Sequence, residues 1–171
     1  MQAEHNTNAG DAPPGGISIA LYQPDIPQNT GTILRLGACL GVAVHVIEPA
    51  GFALDDRALK RAGMDYLSAA DLCRHRSWED FLSTRQGRGS RLVLLTTRAS
   101  TPYDSFPFRP GDILLFGRES AGVPDHVHER ADERLVIPMR TGRRSLNVAT
   151  AVAMVVGEAL RQTGGFPSNR P

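Results

Sequence analysis

Short apolar runs alternate with segments of helical period along most of this chain. The runs at 17–22 (ISIALY), 43–47 (AVHVI), 91–96 (RLVLLT), 112–116 (DILLF) and 134–137 (RLVI) are of strand length and rich in aliphatic residues. They are continuous rather than alternating, the pattern of strands covered on both faces. A weaker sixth strand is predicted near Tyr66–Ala69, and helices at 29–40, 55–63, 77–86, 123–129 and 147–162. Ser77 followed by Asp80 has the spacing of a capping box, and Gly87 stands where that helix would stop. Repeated strand-to-helix alternation predicts an α/β fold, a mostly parallel sheet with helices on both faces.

The helix predicted at 147–162 departs from a simple amphipathic pattern. Val148, Val152, Val155, Val156 and Ala159 form one stripe, but Ala149, Ala151, Ala153 and Leu160 extend the apolar surface around much of the circumference. Such a helix is buried on more than one side. The second side meets either the chain's own core or a partner subunit, and a homodimer is the expectation. The ends read differently. Residues 1–16 and 164–171 carry few apolar side chains among Gly, Pro and Asn, so they are expected to be a disordered N-terminal tail and a flexible C-terminal tail around one domain at 17–163.

Composition narrows the function. With 171 residues, 41% of them hydrophobic, the chain can bury one substantial core. Its 19 basic and 18 acidic residues leave no global field, so any nucleic-acid site must be a local basic patch. Cys39 and Cys73 lack metal-site or redox spacing and read as free thiols serving as buried filler. No apolar run reaches the length of a membrane span, and no secretory leader is evident, so a soluble cytoplasmic protein is expected. His126 and His128 lack a nearby third ligand at a familiar spacing, and no metal is expected.

Three segments carry candidate chemistry. Pro24 to Gly41 (PDIPQNTGTILRLGACLG) follows the first strand; its prolines fix a short loop, Asn29 or Thr30 is placed to cap the helix, and Arg35 lies one to two turns in. A helix N-terminus after a strand favours anions, to which Arg35 adds a phosphate-binding fork. Leu114 to Pro124 (LLFGRESAGVP) places Gly117 and Gly122 around a polar turn where backbone can approach a ligand. Glu119 in that turn is suited to a ribose hydroxyl or an arginine. Val123 and Pro124 stand where a P-loop needs Lys and Ser/Thr, and there is no GxGxxG, so nucleotide-binding fingerprints are excluded. In the third segment, Ile137 to Gln162, Ile137, Met139 and Leu146 supply apolar walls suited to an adenine. Arg140, Arg143 and Arg144 form the densest basic cluster, and Ser145-Leu146-Asn147 lead into the last helix. Arg57, Lys60 and Arg61 share a helical face that reads as solvated.

In order and content these segments closely resemble the TrmL-type group of SPOUT tRNA 2′-O-methyltransferases over residues 17–163. The motif N-x-G-x-x-x-R corresponds to Asn29, Gly31 and Arg35, the glycine-Glu loop to Gly117, Glu119 and Gly122, and Ser-Leu-Asn to Ser145, Leu146 and Asn147. Two positions depart from it: the loop reads GRES where many relatives have GPET, and Gly157 replaces a frequent tyrosine.

The resemblance implies a SPOUT (α/β knot) fold with a C-terminal trefoil knot, a homodimer with its site near the subunit interface, and S-adenosylmethionine bound by Leu95, Gly117, Ile137, Met139, Ser145 and Leu146. It implies methylation of the ribose 2′-hydroxyl of the wobble nucleotide, cytidine or modified uridine, in leucine tRNAs, with no metal. Arg35, Glu119, Ser145 and Asn147 are the implied catalytic residues. Asn29, Arg35, Arg140, Arg143 and Arg144 are the expected RNA contacts. A guanidinium is a poor base, so Arg35 is read as an electrostatic clamp on developing alkoxide, with base action the second possibility. The alternatives are methylation of another tRNA or rRNA ribose, or a catalytically inactive RNA-binding SPOUT protein.

Overall fold

The computed structural model describes residues 16–54, 71–85 and 89–168. Among these residues seven parallel strands form one sheet: β1 (Ser18–Tyr22), β2 (Ala43–Ile47), β3 (Leu72–His75), β4 (Leu92–Leu95), β5 (Thr101–Pro102), β6 (Ile113–Phe116) and β7 (Glu133–Val136). Their spatial order is β3-β2-β1-β6-β4-β7-β5. The register is regular, with Ser18 opposite Ala43 on one side of β1 and Ile113 on the other. Helices α1 (Pro27–Leu40), α2 (Trp78–Arg85), α3 (Asp125–Arg130) and α4 (Val148–Thr163) cover the two faces.

The continuous apolar runs are explained by this double coverage. Every residue of β1 and of β6 is buried. Ile19, Leu21, Val44, Val46, Val93 and Leu114 pack with Ile33 and Leu34 of α1 and Val152, Val155 and Val156 of α4. On the opposite face Ala20, Tyr22, Ile47, Leu94 and Leu115 pack with Trp78 and Phe81 of α2 and Val127 of α3. The expected α/β class and five strands are therefore present with small boundary shifts.

Several expectations need correction. Helix α1 begins at Pro27, whose missing N–H costs nothing in the first turn, and its cap position is Ile26, with no side-chain cap bond. Asn29 and Thr30 are inside the helix and do not cap it. Strand β3 (LCRH) escaped notice because an edge strand with polar residues has no apolar run, and two-residue β5 is too short to carry a pattern. Cys39 is exposed rather than buried filler, since it lies on the outer face of α1; Cys73 is half-buried, and neither is in a disulfide. The helix expected at 55–63 with Arg57, Lys60 and Arg61, the strand near 66–69, Gly87 and most of the N-terminal tail lie outside the described residues, as do 169–171. The Ser77 cap is present: Asp80 N–H donates to Ser77 Oγ at 3.2 Å, and Arg76 N–H donates to Asp80 Oδ2 at 2.9 Å.

Among the described residues, helix α4 is buried along one face and exposed along another. Val152, Val155, Val156, Ala159 and Leu160 are buried, whereas Ala153 and Met154 are exposed. Among the described residues no helix is long and apolar enough to cross a membrane.

Candidate active site

In an open parallel sheet the carboxyl ends of the strands present loops, and ligands collect there. Here the ends of β4, β6 and β7 meet the start of α4 around a cavity of about 410 Å³. Leu95, Phe116, Val136, Ile137, Met139, Leu146 and Ala151 give it largely apolar walls, with Thr96, Thr97, Ser145 and Asn147 as polar points. All six residues expected at the cofactor, Leu95, Gly117, Ile137, Met139, Ser145 and Leu146, line it. Its size and mixed lining suit a small molecule with an apolar body and a few polar handles.

The Gly117–Gly122 turn forms one wall. Arg118 N–H donates to Gly122 O at 3.0 Å and Gly122 N–H to Arg118 O at 2.9 Å, closing the turn on itself. Glycine is required at 117 because a Cβ there would lie 2.5 Å from the Gly122 carbonyl carbon and 2.7 Å from its Cα. Those obstacles are backbone and cannot rotate away.

A chain of side-chain hydrogen bonds joins all three sequence segments. Asn147 Oδ1 accepts from Ala149 N–H at 2.9 Å and Thr150 N–H at 3.3 Å, capping α4. That leaves Asn147 Nδ2 to donate to Asn29 Oδ1 at 3.0 Å, and Asn29 Nδ2 to donate to Glu119 Oε1 at 3.2 Å. Each amide has one acceptor and one donor end, so the helix cap sets the direction of the whole chain and points donors at the carboxylate. Glu119 Oε2 accepts from Asp25 N–H at 3.0 Å.

Asp25 returns the contact. Its Oδ1 accepts from Glu119 N–H at 3.1 Å, and its Oδ2 accepts from Ser120 Oγ. Arg118 Nε lies 3.8 Å from Asp25 Oδ2. The two carboxyls separate in acidity: Asp25 is held at about 2, mainly by its side-chain hydrogen bond with Glu119 and further by Ser120, while burial and then Asp25 push Glu119 upward.

The expected RNA contacts divide. Asn29 lines the cavity and belongs to the network. Arg35 is exposed on α1, and Arg140, Arg143 and Arg144 are exposed in the segment before α4; none of these four lines the cavity. Sequence reasoning on the first segment missed Asp25 and Ile26. Asp25 sits between Pro24 and Ile26-Pro27 directly after a strand, and that placement in a constrained loop was its only sequence signal. Among the described residues, no three His, Cys, Asp or Glu side chains are grouped to hold a metal ion.

A sequence model of the SpoU rRNA Methylase family matches residues 16–157. This chain belongs to the SpoU methylase family. Over 148 residues it is 64% identical to a tRNA (cytidine(34)-2′-O)-methyltransferase of Beijerinckia indica, covering 86% of this chain and 92% of that protein. A solved structure concerned with 2-OH methylation of C/U34 on tRNA superposes with a TM-score of 0.81 at 44% identity, covering 88% of this chain and 97% of the other. An AdoMet-bound rRNA methyltransferase from Sinorhizobium meliloti superposes with a TM-score of 0.79 at 26% identity, covering 88% of this chain and 57% of that one. The α/β fold expected from the strand and helix pattern is the SPOUT fold of this family.

Proposed function

We propose that this protein transfers the methyl group of S-adenosylmethionine to the ribose 2′-hydroxyl of the wobble nucleotide, cytidine or uridine, in the anticodon loop of tRNA, with leucine tRNAs the first candidates. The observation that carries the reading is the cavity at the ends of β4, β6 and β7, where Asn29, Glu119 and Asn147 from three distant segments form one hydrogen-bonded chain. The 64% identity to a tRNA (cytidine(34)-2′-O)-methyltransferase supports the choice of nucleotide.

The lining fits the cofactor: apolar Leu95, Ile137 and Leu146 suit an adenine, and the glycine-permitted backbone at Gly117 suits close approach. When bound, S-adenosylmethionine supplies a methyl group already activated for in-line attack, which leaves the protein to align the ribose oxygen and manage its proton. Ser145 offers a hydroxyl at the cavity wall. Glu119 fixes Asn29, and Asn29 fixes Asn147, so the polar face of the site keeps one arrangement as RNA enters. Arg35, exposed on α1, acts from the RNA side as an electrostatic clamp on the negative charge developing on the 2′-oxygen. Arg140, Arg143 and Arg144 give the near-neutral chain the local positive patch that phosphates require.

The exposed Ala153 and Met154 on α4 support a homodimer that covers this face. The C-terminal knot and a cytoplasmic location belong to the same reading.

The test is methyl transfer from labelled S-adenosylmethionine to tRNA from a strain lacking wobble ribose methylation, with the product mapped by nuclease digestion and mass spectrometry. A 2′-O-methyl at the wobble nucleotide is expected. A methyl at another ribose would retain the chemistry and overturn the target; no transfer would favour an RNA-binding role.

A further inference from the structure

Asp25 lies one residue after Pro24 at the exit of β1, and its carboxylate points across the site rather than into solvent, with only 17% of the side chain exposed. Both of its oxygens are engaged by the turn that forms the cavity wall: Oδ1 by Glu119 N–H at 3.1 Å and Oδ2 by the Ser120 hydroxyl. In return, the Asp25 N–H holds Glu119 Oε2 at 3.0 Å. The result is a reciprocal clasp between residues 94 apart in sequence. It is backed from behind by Gly51, whose N–H donates to Pro24 O at 2.8 Å and where a Cβ would come within 2.9 Å of Asp25 Cα.

Resting on the methyl-transfer reading, we propose that Asp25 is a positioning residue that sets the Gly117–Gly122 turn against the start of α1, and through Glu119 orients Asn29 and Asn147. The physical reason is that the backbone of the turn is bonded chiefly to itself, by the two hydrogen bonds between Arg118 and Gly122. Such a hairpin can swing as a unit. Two acceptor bonds from one short, loop-fixed side chain remove that freedom, and Glu119 is then delivered to Asn29 without searching. Asp25 does not line the cavity and acts only through its neighbours.

Asparagine separates hydrogen bonding from charge at this position. Asp25→Asn keeps an oxygen to accept from Glu119 N–H and turns an NH₂ toward the Ser120 hydroxyl, which is able to accept. Asp25→Ala removes both interactions. Hydrogen exchange of the 117–122 segment reads the clasp without any methyl transfer: without the two side-chain interactions, exchange in Asp25→Ala should quicken by about tenfold, while Asp25→Asn stays near wild type. At saturating cofactor, misplacement of the site should lower kcat for tRNA by roughly a hundredfold in Asp25→Ala, and Asp25→Asn should recover most of it. Ser120→Ala, which removes one of the two interactions, should fall between them and remains informative if Asp25→Ala does not fold. Unchanged exchange and kcat in Asp25→Ala would overturn the proposal, as would Asp25→Asn matching Asp25→Ala, since charge rather than positioning would then be responsible. Absence of transfer by the wild-type protein with a normal exchange response would reject the methyl-transfer reading while leaving the clasp standing.

Discussion

Gly117 shows how a single missing atom shapes the site. A methyl group there meets the backbone of Gly122 at 2.5 Å, so Gly117→Ala must open the turn that walls the cavity. The expected outcome is at least about a tenfold weaker affinity for S-adenosylhomocysteine by calorimetry, the order of effect of displacing a few orienting groups in a small-molecule site. Glu119 carries a pH signature. Its pKa is raised above the ordinary 4.5, chiefly by burial, so its contribution to stability is complete below 4.5 and is lost as pH rises through the raised value. Asp25 has the opposite sign: at about 2 against 3.8, its contribution is complete above 3.8 and is lost as pH falls through about 2. A protonated Glu119 no longer accepts fully from Asn29 and Asp25, so kcat/KM should show an acid limb centred above pH 4.5. Glu119→Gln should flatten that limb; an unchanged limb would assign it elsewhere.

At the scale of elements, α1 and α4 do two jobs each. Their inner faces fill one side of the sheet, and their first turns bring Asn29 and Asn147 to the cavity. Helix α4 depends on this double use: Asn147 caps it with its oxygen and joins the site with its nitrogen, so cap and site form together. Further along α4, Gly157 has nothing within 4 Å of an added Cβ. In a single chain, Gly157→Ala should therefore raise stability to urea by about 1 kcal/mol through helix propensity alone. A decrease instead would mean that a second chain occupies that space.

Helix α4 also bears on the whole molecule, because it exposes apolar side chains beside its buried stripe. Met154, 39% exposed, lies on that face. Met154→Glu should weaken self-association by more than about tenfold in sedimentation equilibrium if the residue is a central anchor of the proposed dimer. The charge distribution belongs to the same scale. With 19 basic and 18 acidic residues overall, RNA affinity must come from patches. Removing Arg140, Arg143 and Arg144 together should reduce the slope of log affinity against log salt by about 0.7 for each phosphate no longer neutralised. An unchanged slope would take the patch out of the RNA site.

How much was legible in advance follows from what each element depends on. Strands β1 and β6 are buried along their whole length, and coverage on both faces leaves an unbroken apolar run that can be read directly. Edge strand β3 leaves no such mark, because its ladder is made by backbone and its side chains are partly solvated. Asn29 shows the same divide: its side chain suited a helix cap by local rule, but Pro27 starts the helix earlier and frees the amide to bridge Glu119 and Asn147. The chain by itself determined the α/β class and the apolar walls Ile137, Met139 and Leu146, since these depend on periodicity and on residue type at short spacing, whereas Leu95, Gly117 and Ser145 were implied at the cavity only by the family resemblance. The partnership of Asp25 with Glu119, the direction of the Asn29–Asn147 relay and the exposed side of α4 were decided only by the tertiary structure. The first two depend on which distant segments the sheet brings side by side, and hydrogen bonds between residues some 90 to 118 positions apart leave no periodic trace in sequence. The third depends on which face of an all-round apolar helix the sheet has room to cover.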